Sequence, residues 1–388
     1  MAAKGHAITS GAGFNMKVAF RADASLQIGT GHVMRCLTLA DSLAAKGAGC
    51  EFMCRAHEGN LIEFIRSKGY VVHPLPIAQK ASTDSAASEL VNASTRGLAH
   101  RHWLGVTQAQ DFEACAPLLA AQRPDWLIVD HYSLDARWER ALADHYRKLM
   151  VIDDLADRSH VCQLLLDQTF GRDAANYRTL VPADCRVLCG SQYALLRPEF
   201  AALRPFSLQR RVQPVLRELL ITMGGVDKDN ATGQVLQALR TCPLPADCRI
   251  TVVMGATAPW LDMVRIQARE MTWQIRVLMG VSDMAQLMAD SDLAIGAAGA
   301  TSWERCCLGL PTGVLVLAEN QRYAAGLLEK IGAVKTLLLG STLVEQISDF
   351  ILDAIDSSEY LKNLSVRASA ITDGRGCVHV ADSIFAES

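Results

Sequence analysis

One pattern limits the folds open to this chain more than any other, and it occurs twice. The short run Lys17–Phe20 continues through Arg21-Ala22-Asp23 into the glycine turn Ile28-Gly29-Thr30-Gly31-His32-Val33-Met34-Arg35, then into a helical stretch ending near Lys46. Far along the chain the rhythm restarts, with Leu219-Leu220-Ile221-Thr222-Met223 running into Gly224-Gly225. A strand that ends in a glycine-rich turn and feeds a helix is the opening unit of a parallel sheet with helical crossovers. After the first start, strand candidates recur at Cys50–Cys54, Val71–Leu75, Trp126–Asp130, Leu149–Asp153, Leu164–Leu166 and Arg186–Cys189. After the second they recur at Arg249–Met254, Ile275–Leu278, Leu293–Ile295 and Gly313–Leu317. Helical patterns lie between them at Leu61–Lys68 and Leu134–Tyr146, and near Ala109–Ala121. The segment Ser282–Ala289 reads as a serine-capped helix, and the chain closes with helices near Thr342–Ile355, Tyr360–Ile371 and Val378–Phe385. The prediction is α/β, with two doubly wound parallel-sheet halves.

Length agrees, since 388 residues with half of them hydrophobic exceed one ordinary core. Residues 1–15, rich in Gly and Ala, are expected to be a disordered extension before a domain spanning 16–205. A second domain, 206–388, includes the C-terminal helices. Residues 78–112, rich in Ala, Ser, Thr and Gln, interrupt the rhythm and predict a surface excursion. The Arg/Pro-rich stretch 191–213 predicts an irregular interdomain connection. A net charge of −3 without a basic run argues against nucleic acid as a partner. No apolar run reaches the roughly 18–20 residues of a membrane span. The 12 cysteines include no Cys-x-x-Cys pair, and adjacent Cys306-Cys307 suit one tetrahedral metal poorly. They read as small buried hydrophobes in a reducing cytoplasm, and neither metal nor cofactor is expected.

In open parallel sheets ligands bind beyond the carboxyl ends of the strands, so chemistry-bearing residues are sought there. Gly29 and Gly31 allow a sharp turn and a close backbone approach, and the following helix start favours an anion. His32 is then either a proton-transfer group beside that anion or a residue satisfying a backbone carbonyl. Met34 stands where a dinucleotide fingerprint has its third glycine, which speaks against a nicotinamide site. Asp130-His131-Tyr132 follows a second strand; Asp130 either orients an imidazole or caps a helix, and Tyr132 is a hydrogen-bond donor toward sugar or water. Asp153-Asp154 repeats this placement, with capping favoured over metal binding. In the second half, Gly296-Ala297-Ala298-Gly299-Ala300 clears space over a helix start that can take a diphosphate. Thr301 and Ser302 would add hydroxyls, and Glu304 would either grip ribose hydroxyls or stand exposed. Glu319-Asn320-Gln321 lies at the next strand end, and Gly224-Gly225 can approach a phosphate.

The set Phe20-Arg21-Ala22-Asp23-Ala24-Ser25, Ile28–Cys36, Val129–Tyr132, Ile152–Asp154, Tyr193–Phe200 and Met223–Asp227 resembles the UDP-2,4-diacetamido-2,4,6-trideoxy-β-L-altropyranose hydrolases of pseudaminic acid biosynthesis. The segments 292–304 and 318–321 are similar too, so the resemblance runs from about Met16 past Ala333. It implies a GT-B-like fold, two Rossmann-like domains facing a central cleft, related to the glycosyltransferase that makes lipid II. It further implies His32 as general base and Tyr132 as its partner in holding sugar or water. Arg21, Gly29, Gly31, Asp130, Gly224, Gly225 and Gly299 would line the substrate, with Thr301 and Ser302 on the diphosphate. Glu304 would take the ribose, and Asn320 with Gln321 the sugar or phosphate. The implied substrate is a UDP-sugar and the implied reaction a metal-independent hydrolysis at the anomeric carbon. A UDP-sugar glycosyltransferase, a non-catalytic nucleotide-sugar sensor and a hydrolase that also epimerises C2 are the alternatives. The sequence leaves the oligomeric state open.

Overall fold

The structure, a computed structural model, describes residues 16–77, 98–255 and 258–388. The expected extension 1–15 and most of the expected excursion, 78–97, lie outside the described residues. The chain forms two compact units. One holds the residues up to Asp167, Asp173–Cys189 and Val378–Ser388, the other Gln168–Arg172 and Gly190–Cys377.

The first unit is built on β1 (Met16–Ala22), β2 (Ala48–Arg55), β3 (Val71–Leu75), β4 (Trp126–Asp130), β5 (Lys148–Ile152), β6 (Leu164–Asp167) and β7 (Arg186–Cys189). They lie in the order β3-β2-β1-β4-β5-β6-β7 with parallel pairing throughout. Trp126, Leu127, Ile128 and Val129 are at most 1% exposed. Such a continuous apolar run suits a strand covered on both faces, and each large aliphatic buried this way contributes about 1.5–3 kcal/mol. The second unit carries β8 (Glu218–Thr222), β9 (Arg249–Met254), β10 (Gln274–Met279), β11 (Leu293–Ala297), β12 (Thr312–Leu315) and β13 (Lys335–Leu337), in the order β10-β9-β8-β11-β12-β13. These pairs are parallel as well. In both sheets the order reverses beside the first strand, between β1 and β4 and between β8 and β11. Such a switch point is where an open α/β sheet offers its ligand crevice.

Three expectations change. The stretch 191–213 is not an irregular connection, because Pro198–Arg210 is a helix belonging wholly to the second unit. Pro198 sits at its first position, where the missing N–H costs nothing. The internal Pro205 forfeits one backbone bond, but side chains tie the helix down: Arg204 Nη2 donates to Ser369 O at 2.8 Å and Ser207 Oγ to Leu308 O at 2.7 Å. The compact units accordingly part at Gly190 rather than at 205, and the last residues return to the first unit. There Trp126 Nε1 donates to Ser388 Oγ and Lys46 pairs with Asp382. The helix expected from Ser282 starts at Met284, with Asp283 as its cap, accepting from Gln286 N at 3.1 Å. All 12 cysteines are free thiols, ten of them buried. Among the described residues no helix is long and apolar enough to cross a membrane.

Candidate active site

The turn after β1 folds on itself before the helix begins. Ser25 and Gly29 pair as an isolated bridge, and Ser25 Oγ accepts from the backbone N–H groups of Gln27 and Ile28. Gly29 has φ of +80°, a left-handed conformation that costs a glycine little, and nothing crowds the place of its absent Cβ. The helix Gly31–Ala45 then starts with Thr30 at its N-cap, and the Thr30 side chain makes no capping bond. His32 and Arg35, three residues apart, share a helix face and turn together toward the end of β4.

At that point the switch between β1 and β4 brings distant residues into contact. Ala22 stands in register with Asp130. His32 Nδ1 lies 2.6 Å from Asp130 Oδ1. A carboxylate only accepts, so this contact places a proton on Nδ1 and leaves Nε2 of the neutral ring with its lone pair. Arg35 grips the same carboxylate from the other side, Nε to Oδ2 at 2.6 Å and Nη2 to Oδ1 at 2.7 Å. Burial alone would raise the Asp130 carboxyl, but Arg35 and His32 outweigh it and hold it well below the usual carboxylate range. Arg35 Nη1 also donates to Asp154 Oδ2, and Tyr132 O–H donates to that same oxygen at 2.9 Å. Burial, and next Asp154, push the Tyr132 phenol well above its ordinary value, so it stays neutral. Asp153 instead caps its own loop, accepting from Leu155 N and Ala156 N, as the alternation of neighbouring side chains requires.

Arg21 does not join this group. It is fully buried, donating to both oxygens of Asp23 at 2.6 and 2.9 Å and to Asp111 at 3.2 and 2.7 Å. Arg55 pairs with Asp111 as well, and His131 Nε2 lies 3.2 Å from Asp23. A guanidinium sealed in this way has no surface left for a substrate, so the binding role expected of Arg21 is corrected to holding the β1 end in place. Sequence reading missed Arg35 and Asp154 as partners, and also Trp103 and His100. The last two come from the region expected to be an excursion. The Trp103 ring stacks on Tyr132 at 5.6 Å between centroids, and His100 lies 4.3 Å from Trp103. The run His100-Arg101-His102-Trp103 was a legible signal, being aromatic in an otherwise small and polar stretch.

In the second unit Gly224 and Gly225 follow β8, and Gly299, Thr301, Ser302 and Glu304 follow β11, the two strands at the switch, while Asn320 and Gln321 follow β12. Gly224 has φ of +89° and Gly225 packs on Gly255, where a Cβ would come within 1.8 Å of the Gly225 carbonyl oxygen. The helix Thr301–Cys307 carries a buried guanidinium beneath its start. Arg305 donates to Ala297 O at 2.7 Å, Ser302 Oγ at 3.1 Å and Thr301 Oγ1 at 3.3 Å. Both hydroxyls thus accept from Arg305 and keep their own protons to donate. A Cβ at Gly296 would come within 2.4 Å of Arg305 Nη1, so this glycine serves the arginine. Burial lowers Arg305 to about 10, which leaves it cationic at neutral pH. Burial likewise pushes the half-buried Glu304 carboxyl up. Gly299 is exposed, with open space around it. Gln321 Oε1 accepts from Leu317 N at 2.9 Å, while the Asn320 side chain lies outside what is described.

Two doubly wound parallel sheets, each with candidates at its switch point, make this a GT-B fold, as in glycosyltransferases. Residues 218–374 match the model of the glycosyltransferase family 28 C-terminal domain. The UDP-2,4-diacetamido-2,4,6-trideoxy-beta-L-altropyranose hydrolase of Campylobacter jejuni is 27% identical over 318 residues, 82% of this chain and 97% of that protein. Spore coat polysaccharide biosynthesis protein SpsG of Bacillus subtilis is 24% identical over 322 residues, 81% of this chain and 93% of that one. MurG from Acinetobacter baumannii superposes with a TM-score of 0.65 at 16% identity, over 95% of this chain and 99% of its own, a likeness of fold. The resemblance to the UDP-sugar hydrolases read from the motifs therefore extends over most of the chain.

Proposed function

We propose that this chain is an enzyme that hydrolyses UDP-2,4-diacetamido-2,4,6-trideoxy-β-L-altropyranose to the free sugar and UDP, a step of CMP-pseudaminic acid biosynthesis. The observation that carries this reading is the 2.6 Å contact of His32 Nδ1 with an Asp130 that Arg35 holds rigid. It leaves Nε2 as the proton acceptor and fixes the ring plane, the two requirements of a general base. Charge favours the same step. One guanidinium, Arg35, faces two carboxylates, Asp130 and Asp154, so the cluster carries one negative charge that a proton on His32 neutralises.

In the proposed reaction a water gives its proton to His32 Nε2 while its oxygen bonds to the anomeric carbon. The C1–O bond breaks with inversion and its electron pair leaves on UDP. Tyr132, whose proton is committed to Asp154, offers its oxygen lone pair to hold that water. The diphosphate falls to Gly224, Gly225, Gly299 and the free hydroxyl protons of Thr301 and Ser302, where Arg305 adds positive charge. Glu304 takes the ribose, and Asn320 with Gln321 the remaining polar groups of the substrate. No metal enters the step. The family 28 domain favours a second reading, transfer of the sugar to an acceptor other than water. Hydrolysis in ¹⁸O-water separates the possibilities. The proposal expects the label at C1 of the released sugar; label in UDP, or no release without an added acceptor, overturns it.

A further inference from the structure

An aromatic wall stands beside His32, and two of its members, Trp103 and His100, have no part in the proposed reaction. The helical turn Arg101–Leu104 delivers Trp103, and Leu104 pins that turn in the core at 1% exposure. Ser133 Oγ donates to His100 O at 2.6 Å, and Gln108 Nε2 donates to Ser133 O at 2.9 Å, so the turn is tied to the chain that follows β4. Gly105 turns the backbone at φ of +71°, and a Cβ there would meet His57 Cε1 at 2.8 Å. The wall is thus built into the fold rather than laid on it.

Its geometry relative to the base is well defined. Tyr132 packs edge-on to His32 with centroids 4.6 Å apart, and Trp103 meets the same ring edge-on at 6.1 Å. Trp103 and Tyr132 stack at an interplanar angle of 24°, and His100 lies within 5.4 Å of Tyr132. Arg158 covers Tyr132 at 5.7 Å. Trp103 and His100 are half-buried, while Tyr132 is buried. Burial lowers His100 below its ordinary value, so its ring carries no charge near pH 7. The faces of an indole and an uncharged imidazole side by side pack against C–H groups, methyls and acyl caps. The indole N–H, a donor only, suits the carbonyl oxygen of an acetamido group.

We infer that Trp103, backed by His100, is the specificity-determining surface of this site, selecting a UDP-hexose whose reacting sugar is deoxygenated at C6 and N-acylated over one that keeps the C6 hydroxyl. The inference rests on the hydrolase reading above and deepens it. A methyl against the ring faces gains contact, whereas a hydroxyl over those faces is desolvated where they offer it no hydrogen bond.

The test compares kcat/KM for a UDP-2,4-diacetamido-2,4,6-trideoxyhexose and for UDP-N-acetylglucosamine, in the wild-type chain and in Trp103→Ala and Trp103→Phe. Wild type is expected to prefer the deoxy substrate. Trp103→Ala should lose about tenfold of that preference through KM, with kcat nearly kept, because one aromatic contact is worth about that much. Trp103→Phe, which keeps a ring, should retain most of it and controls for folding. Unchanged preference in Trp103→Ala, or equal loss in both variants, overturns the inference while leaving hydrolysis standing. No hydrolysis of either substrate by wild type instead fails the hydrolase reading itself.

Discussion

The cluster around Asp130 and the cluster around Asp23 and Asp111 are made from the same residue types and lie at the ends of neighbouring strands, yet they are balanced differently. Arg21 and Arg55 face Asp23 and Asp111, two charges against two, all at most 1% exposed. Arg35 faces Asp130 and Asp154, one against two, with the Asp154 side chain 19% and the His32 side chain 9% exposed. The sealed cluster balances its charges away from solvent, so it holds β1 in place and presents no surface to a ligand. The other is short of one positive charge and holds a ring whose Nε2 can receive a proton. Charge balance and access, rather than residue type, separate scaffold from site.

Breaking the sealed cluster should have the largest effect on folding. Asp111→Asn leaves Arg21 and Arg55 short of one carboxylate, and removing one member of a buried pair costs about 3–5 kcal/mol, measurable by urea denaturation. Turnover per folded molecule should not change. The pH dependence sharpens this. Burial alone would raise Asp111, but Arg21 and Arg55 outweigh it and hold its carboxyl below the unfolded value. Its stabilisation is therefore present above about pH 4 and lost as pH falls through the folded value, so the gap between wild type and variant should close on acidification. A gap that stays constant below pH 4 would show that shape rather than charge holds this cluster. Tyr132→Phe should do least. It removes one hydrogen bond to Asp154 and the oxygen proposed to hold water, about 0.5–1.5 kcal/mol, so kcat should fall by about tenfold at most while the fold persists. An unchanged kcat would remove Tyr132 from the reaction.

Much of the sheet could be read before any coordinates. Val71–Leu75, Trp126–Asp130, Arg186–Cys189 and Arg249–Met254 are strands at the bounds their apolar runs predict. The helix Pro198–Arg210 was hidden because proline and arginine are loop-like in composition, and its stability comes from carbonyls more than a hundred residues away. The three-residue β13 was too short to carry a pattern. His32, Asp130 and Tyr132 were legible as strand-end groups, but their pairing was not, since 98 residues separate His32 from Asp130. Arg21 was misleading for the converse reason: a conspicuous cation at a strand end resembles a ligand grip until its carboxylates are seen. Trp103 and His100 stand out by residue type, but the small polar segment around them carries no period that would place them beside Tyr132.

The most direct measurement is steady-state turnover of the UDP-diacetamido sugar by His32→Asn, with thermal unfolding recorded on the same sample. Asparagine can still face Asp130, so the variant should unfold at nearly the wild-type temperature, while losing the proton acceptor lowers kcat by about 10²–10⁴-fold. A folded His32→Asn enzyme that releases UDP at close to the wild-type rate would contradict the assignment of His32 as the base.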